Sequence, residues 1–200
     1  MDEVNSPAPV PDDPRHDDLA QGDPRQRSTS TVTISWLRDL FVSVLIAVVV
    51  ILFLYQPVKV EGTSMMPGLT DQERIFINKF TYRFGLGSIE RGDTVVFEYP
   101  LDNSKSYIKR VIGLPGDEIR IDRGQVYVND QPLQEDYVES DYRDDISMQT
   151  MVVKPDEYFV LGDHRNSSSD SRVWGTVARK YIYGKAVFCY WPLNKMGRLR

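Results

Sequence analysis

The uncharged run from Leu40 to Tyr55, LFVSVLIAVVVILFLY, constrains this chain more than any other stretch. Sixteen consecutive residues carry no charge, and Trp36 and Leu37 extend the run toward the N-terminus. About twenty helical residues at a 1.5 Å rise cover roughly 30 Å, the thickness of a bilayer's hydrocarbon core. Trp36 and Tyr55 stand where aromatic side chains favour the two interfaces. The pattern predicts a single transmembrane helix over residues 36–55. The competing reading, a helix buried in a globular core, fits less well because the run is apolar on every face and follows a polar tail. The polar segment before it is too long for a cleaved signal peptide, and QPVKVEG after it lacks an Ala-x-Ala site, so a retained anchor is expected. Arg25, Arg27 and Arg38 precede the run while only Lys59 follows closely, which predicts a cytoplasmic N-terminus and an extracytoplasmic remainder.

The two flanks differ in kind. Residues 1–35 hold five prolines, seven acids and three arginines, with almost no large apolar residues. Such a segment buries too little to offset its ordering entropy, and a disordered, acidic cytoplasmic tail is expected. It carries most of the formal net charge of -5, so the remainder is nearly neutral and does not suggest a nucleic-acid partner. The single cysteine, Cys189, excludes an intrachain disulfide. It lies in AVFCYW, an apolar strand-like setting that reads as a buried thiol and disfavours a sortase-like cysteine transpeptidase.

From Gln56 onward, short runs rich in β-branched and aromatic residues are separated by Gly, Pro, Asn and Asp: ERIFINKF, GDTVVFEYP, DEIRIDRGQVYVNDQPL, GKAVFCYWP. IRIDRGQVYV alternates on both sides of DRG, as a hairpin does. The expected fold class is mainly β: an antiparallel β-sheet domain over residues 56–200, with a small second lobe near 118–155.

Candidates for chemistry are few. His16 falls in the tail and His164 is the other histidine; metal-ligand spacings are absent, so no metal and no cofactor is expected. Three stretches place polar residues where they are costly: GTSMMP around Ser64, SYIKRVIGLPGD around Lys109, and LGDHRNSSSDSRVWG from Leu161 to Gly175. A lysine activates a serine only when its pKa falls well below about 10.4, which apolar burial achieves. Strand alternation puts Tyr107 and Lys109 on one face and Ile108 and Arg110 on the other, so one cation can turn inward while the next stays solvated. On the residues alone, a turn serine and a surface lysine remain open alternatives.

GTSMMP, GDTVVF, YIKRVIGLPGD and GDHRNSSSDSRVWG, in that order after an apolar span, resemble type I signal peptidase; the match runs from Gln56 to Trp191. The resemblance implies a Ser/Lys serine endopeptidase with Ser64 as nucleophile and Lys109 as general base. Ser168 would orient the lysine, and the Ser64 backbone N–H would serve the oxyanion hole. Asp163, Arg165, Asp170 and Arg172 would hold the third motif by ion pairs. It further implies cleavage after small residues of Ala-x-Ala type, in shallow pockets lined by Val58, Val60, Met65, Tyr107 and Ile108, with the peptide bound as an added strand. Met65, Met66 and Pro67, with Phe80 to Phe84 (FTYRF), would form an apolar surface that can touch the bilayer. Implied partners are the signal peptides of exported preproteins, the lipid bilayer and the protein-export machinery. One span instead of two resembles Gram-positive and cyanobacterial members, in a plasma or thylakoid membrane.

Two positions depart from the family pattern. Gly62 stands where many members have a serine whose hydroxyl helps hold the oxyanion, and His164 stands where asparagine is usual. The histidine keeps a Ser64–His164–Asp alternative open, with Asp163 or Asp170. A LexA-like self-cleaving repressor shares the chemistry but needs a DNA-binding domain that residues 1–35 cannot form. A membrane-anchored β binding module would tolerate alanine at both Ser64 and Lys109.

Overall fold

The computed structural model describes residues 29–80 and 87–199, with no side-chain description for 29–34 and 52. Chain contacts divide it into Met1–Ile46 and Ala47–Arg200. Helix α1, Thr29–Leu54, contains neither proline nor glycine. Its described part reaches back past Trp36 to Thr29, and it ends one residue early because Tyr55 opens a strand. The large apolar side chains from Trp36 to Ile51 are exposed. Counted over the described side chains alone, which start at Ser35 and break at position 52, no helix is long and apolar enough to cross a membrane. The tail expected over 1–35 lies outside the described residues up to position 28, and 29–35 are helical. Of FTYRF, only Phe80 is described; Thr81 to Phe84 lie outside the described residues.

Twelve strands follow among the described residues, and every pairing between them is antiparallel. The larger sheet runs β1 (Tyr55–Lys59), β2 (Arg74–Asn78), β11 (Ile182–Trp191), β3 (Thr94–Tyr99), β4 (Asp102–Gly113), β9 (Glu157–Leu161), β10 (Val177–Ala178). Strand β12 (Gly197–Arg198) pairs with β11. The smaller sheet orders β7 (Gln131–Pro132), β6 (Gln125–Val128), β5 (Glu118–Asp122), β8 (Met148–Val152) and is inserted between β4 and β9. Its β5–β6 hairpin closes through Arg123 and Gly124, at φ 46° and 76°, the doubly left-handed turn that matches strand twist. Glycine is required there twice over: a Cβ at position 124 would sit 1.9 Å from the Asp144 carbonyl oxygen.

Alternation along the strands builds the cores. Val95, Phe97, Val111 and Val160 pack on one side of the main sheet with Ile89, Val177 and Ile182. Val60, Met65, Leu69, Ile75, Ile77 and Val96 form a second cluster. Ile112, Phe159 and Leu161 continue into Ile119, Ile121 and Val126 of the smaller sheet, which ties the insertion to β4 and β9.

Strand β4 positions the site. It is twelve residues long and pairs with β3 from Asp102 to Arg110, but with β9 only from Arg110 to Gly113. The stretch just before Arg110 therefore keeps an open edge among the described residues. Strand β1 pairs only with β2, which leaves a second open edge.

Candidate active site

The loop from Val60 to Glu73 is a closed turn between β1 and β2. Val60 N–H donates to Glu73 O at 2.8 Å and Gln72 N–H to Val60 O at 2.9 Å, which pins its base. Gly62 N–H donates to Asp71 Oδ1 at 2.8 Å, and Leu69 N–H to Met65 O at 2.9 Å. Buried Glu73 accepts from Thr70 Oγ1 at 2.6 Å and Lys195 Nζ at 2.8 Å. Ser64 is half-buried at the crown of this turn. Met65 is 1% exposed and belongs to the core with Val60 and Leu69, which corrects its expected place on a bilayer-facing surface and in the substrate pocket. An apolar residue beside a nucleophile anchors the turn here; Met66 and Pro67 are half-buried.

Lys109 reaches this serine from β4. Its Nζ lies 2.6 Å from Ser64 Oγ and donates to Ile108 O at 3.1 Å. Lys109 is 4% exposed, and no carboxylate forms an ion pair with it among the described residues. Burial pushes the amine down from 10.5 to about 8, against the opposing charges of Asp170 and Asp163. A serine hydroxyl within hydrogen-bond reach of a buried lysine whose pKa is lowered has the arrangement that a nucleophile and its base require.

Arg110 turns the other way, yet it is not solvated as strand alternation had suggested. It is 6% exposed, and its Nε and Nη2 donate to Asp163 at 2.8 and 2.6 Å. The reason is cover: Tyr137, from the inserted segment, lies 4.2 Å from its guanidinium. Arg165 forks onto Glu135 at 2.9 and 2.5 Å, and its Nε donates to Gly162 O at 3.0 Å. Arg172 pairs with Asp170 and Asp144 and donates to Arg165 O at 2.8 Å. The four charged residues of the third motif are thus buried struts, but two of their partners, Glu135 and Asp144, come from outside every motif. Their legible trace was only a cluster of acids in a segment with no other pattern.

Gly162 is where the motifs meet. A Cβ there would stand 2.2 Å from Ser168 Oγ and 2.4 Å from Ser64 O, so only glycine admits both neighbours. Ser168 Oγ is buried and makes no hydrogen bond among the described residues; the bond expected from it to Lys109 is not formed.

A cleft of about 310 Å³ opens at the dyad, between the open edges of β1 and β4. Val58, Val60, Tyr107 and Ile108 line it, over a floor of Ile75, Val96 and Tyr183. Met65 faces a different cavity, with Leu69 and Tyr137. Gly62 has φ 92°, a conformation that disfavours any side chain, although a Cβ would meet nothing within 4 Å. His164 does not reach the hydroxyl's base position: its Nδ1 donates to Thr63 O at 3.1 Å, while Asp163 and Asp170 are engaged by arginines. The geometry therefore supplies no Ser–His–Asp relay. Among the described residues, no group of three His, Cys, Asp or Glu side chains is arranged to hold a metal ion.

Comparison with known proteins gives the chain's family. Residues 33–191 match the family model described as signal peptidase, peptidase S26. Signal peptidase I of Leptolyngbya laminosa is 34% identical, covering 97% of this chain and 95% of its own. Signal peptidase I of Bacillus amyloliquefaciens is 33% identical over 86% of this chain and 96% of its own. A solved signal peptidase I from Enterococcus faecalis V583 shares 32% identity, with a TM-score of 0.45, over 50% of this chain and 97% of that one. The chain belongs to the signal peptidase family, peptidase S26, and is a serine endopeptidase of the type I signal peptidase class.

Proposed function

We propose that this chain removes signal peptides from preproteins through a Ser64–Lys109 dyad, and the observation that carries the reading is the 2.6 Å approach to the serine of a buried lysine that has no ion-pair partner among the described residues. Neutral Lys109 takes the Ser64 proton as Oγ attacks the scissile carbonyl carbon. The oxyanion that forms accepts from the Ser64 N–H, which makes no other hydrogen bond among the described residues. The Lys109 ammonium then protonates the leaving amine, and an ester to Oγ remains. A water, deprotonated by the same lysine, attacks that ester; Oγ leaves and regains its proton. A neutral amine has two N–H groups. Ile108 O accepts one, and Ser168 Oγ is the unpartnered hydroxyl we assign to the other.

The cleft favours an extended peptide held between the open edges of β1 and β4, its small side chains directed at Val58, Val60, Tyr107 and Ile108. We place the membrane anchor in α1, whose exposed apolar side chains from Trp36 to Ile51 leave a large surface that water does not solvate well. On this reading the tail is cytoplasmic, the β domain is extracytoplasmic, and the bilayer and export machinery are its neighbours.

The test uses the detergent-solubilised full chain and a precursor whose signal ends in Ala-x-Ala. Wild type is expected to cut after the second alanine, while Ser64→Ala and Lys109→Ala do not. Cutting by Lys109→Ala at the wild-type rate would remove the lysine from the mechanism.

A further inference from the structure

The residue left over from the mechanism is His164, and the bonds it makes point to a use for it. Its ring is seated by two contacts. Nδ1 lies 3.1 Å from Thr63 O, and the ring meets Tyr142 edge to face at 4.5 Å. Its own backbone N–H donates to Ser64 O at 3.1 Å. A carbonyl oxygen only accepts, so Nδ1 carries a proton and donates it. Thr63 O also accepts from Met66 N–H at 3.0 Å.

Thr63 C=O and Ser64 N–H belong to one planar trans peptide, and they point in opposite directions. A donor that fixes the carbonyl therefore fixes the direction of the N–H. That N–H is the oxyanion donor of the reading above. Hydrogen bonds to the carbonyl also polarise the peptide and strengthen its N–H as a donor. The neighbouring backbone makes such help valuable. Gly62, at φ 92°, carries no hydroxyl, so no side-chain donor stands at that position.

We propose that His164 is a positioning residue for the oxyanion hole: it holds and polarises the Thr63–Ser64 peptide so that the Ser64 N–H faces the developing oxyanion. The inference rests on the Ser64–Lys109 reading. Asparagine can take over, because its Nδ2 occupies nearly the place of histidine Nδ1. Glutamine, one methylene longer, and alanine cannot.

The test is steady-state cleavage of the Ala-x-Ala precursor by the full chain carrying His164→Ala, His164→Gln or His164→Asn, with Ser64→Ala as control and melting temperature measured for each. His164→Ala and His164→Gln are expected to lower kcat about 10- to 100-fold with KM little changed, short of the roughly 100- to 1,000-fold that loss of a whole oxyanion donor costs. His164→Asn is expected to stay within about threefold of wild type, the scale of a modest hydrogen-bond difference, with an unchanged pH profile. Tyr142→Ala, which unseats the ring without touching the bond, is expected to fall between them. Full kcat in a folded His164→Ala, or an Asn variant as impaired as the alanine one, overturns the role. A pH limb that vanishes in His164→Asn overturns it too, because the ring would then be a base. Wild-type cutting by Ser64→Ala overturns the dyad and this inference together, whereas an inactive Ser64→Ala beside a fully active His164→Ala sinks this inference alone.

Discussion

Lys109 and Arg110 are consecutive residues of β4, equally buried, and the structure treats them in opposite ways. Arg110 is met by a bidentate carboxylate, Asp163, and stays charged: burial alone would lower its pKa, but the hydrogen bonds and charge of Asp163 outweigh that and raise it. Lys109 faces the cleft with a serine hydroxyl and a carbonyl as its only hydrogen-bonding neighbours among the described residues, and its pKa falls to about 8. The same burial makes a strut where a partner is supplied and a base where it is withheld. Side-chain chemistry widens the gap. A guanidinium cannot be deprotonated in a protein, whereas an amine can.

The largest effects test the two roles directly. Ser64→Ala is expected to abolish turnover, a loss on the order of 10⁶-fold if the serine acts as in other serine proteases. Lys109→Ala should cost about 10²- to 10⁴-fold, the range for a general base. Neither should lower the melting temperature much, and for Lys109→Met it should rise at neutral pH. The sign follows from linkage: Lys109 titrates near 8 when folded and near 10.5 when unfolded, so between those values the unfolded chain binds more protons. Wild-type stability should therefore increase as pH rises from about 8 toward 10.5, and the methionine variant should lack that increase. Urea unfolding at a series of pH values reads it.

Arg110→Ala is the contrasting case. It strands Asp163 in a buried site and should cost about 3–5 kcal/mol in chemical denaturation, with activity lost through unfolding. Replacing both Arg110 and Asp163 with apolar residues should recover most of that stability, which a repeat with Lys109 and Ser64 would not parallel. Gly162→Ala should cost about 1–3 kcal/mol by overpacking, and it should lower activity as well because the new Cβ presses on Ser64 O. The smallest effect on stability belongs to Ser168→Ala: its buried hydroxyl has no partner, so melting should change by less than about 0.5 kcal/mol. A drop in kcat without a change in stability would support its proposed contact with the lysine.

How much of this was legible in the sequence depended on whether cause and effect lay close together in the chain. The β5–β6 hairpin could be read from DRG because a two-residue turn announces itself through its glycine. Ser64, Lys109 and the Gly162 loop could be read because each sits in a motif whose order is specific. Arg110 was misjudged because alternation tells which face a residue takes and not what covers that face. The cover is Tyr137, which donates to Glu135, from an inserted segment without a pattern of its own. Met65 was misjudged for a related reason: an apolar side chain near a membrane reads equally as surface or core, and only the packing against Val60 and Leu69 decides. The helical residues from Thr29 to Ser35 were missed because a run of serines and threonines carries no helical periodicity.

The pH dependence of kcat/KM tests the central claim most directly, since it reports the free enzyme's base. The account predicts a limb that rises through about pH 8, present in wild type and in His164→Asn alike and absent from the residual activity of Lys109→Ala. A limb near the ordinary histidine range that disappears in His164→Asn, or one near the ordinary lysine value of about 10.4, would contradict it.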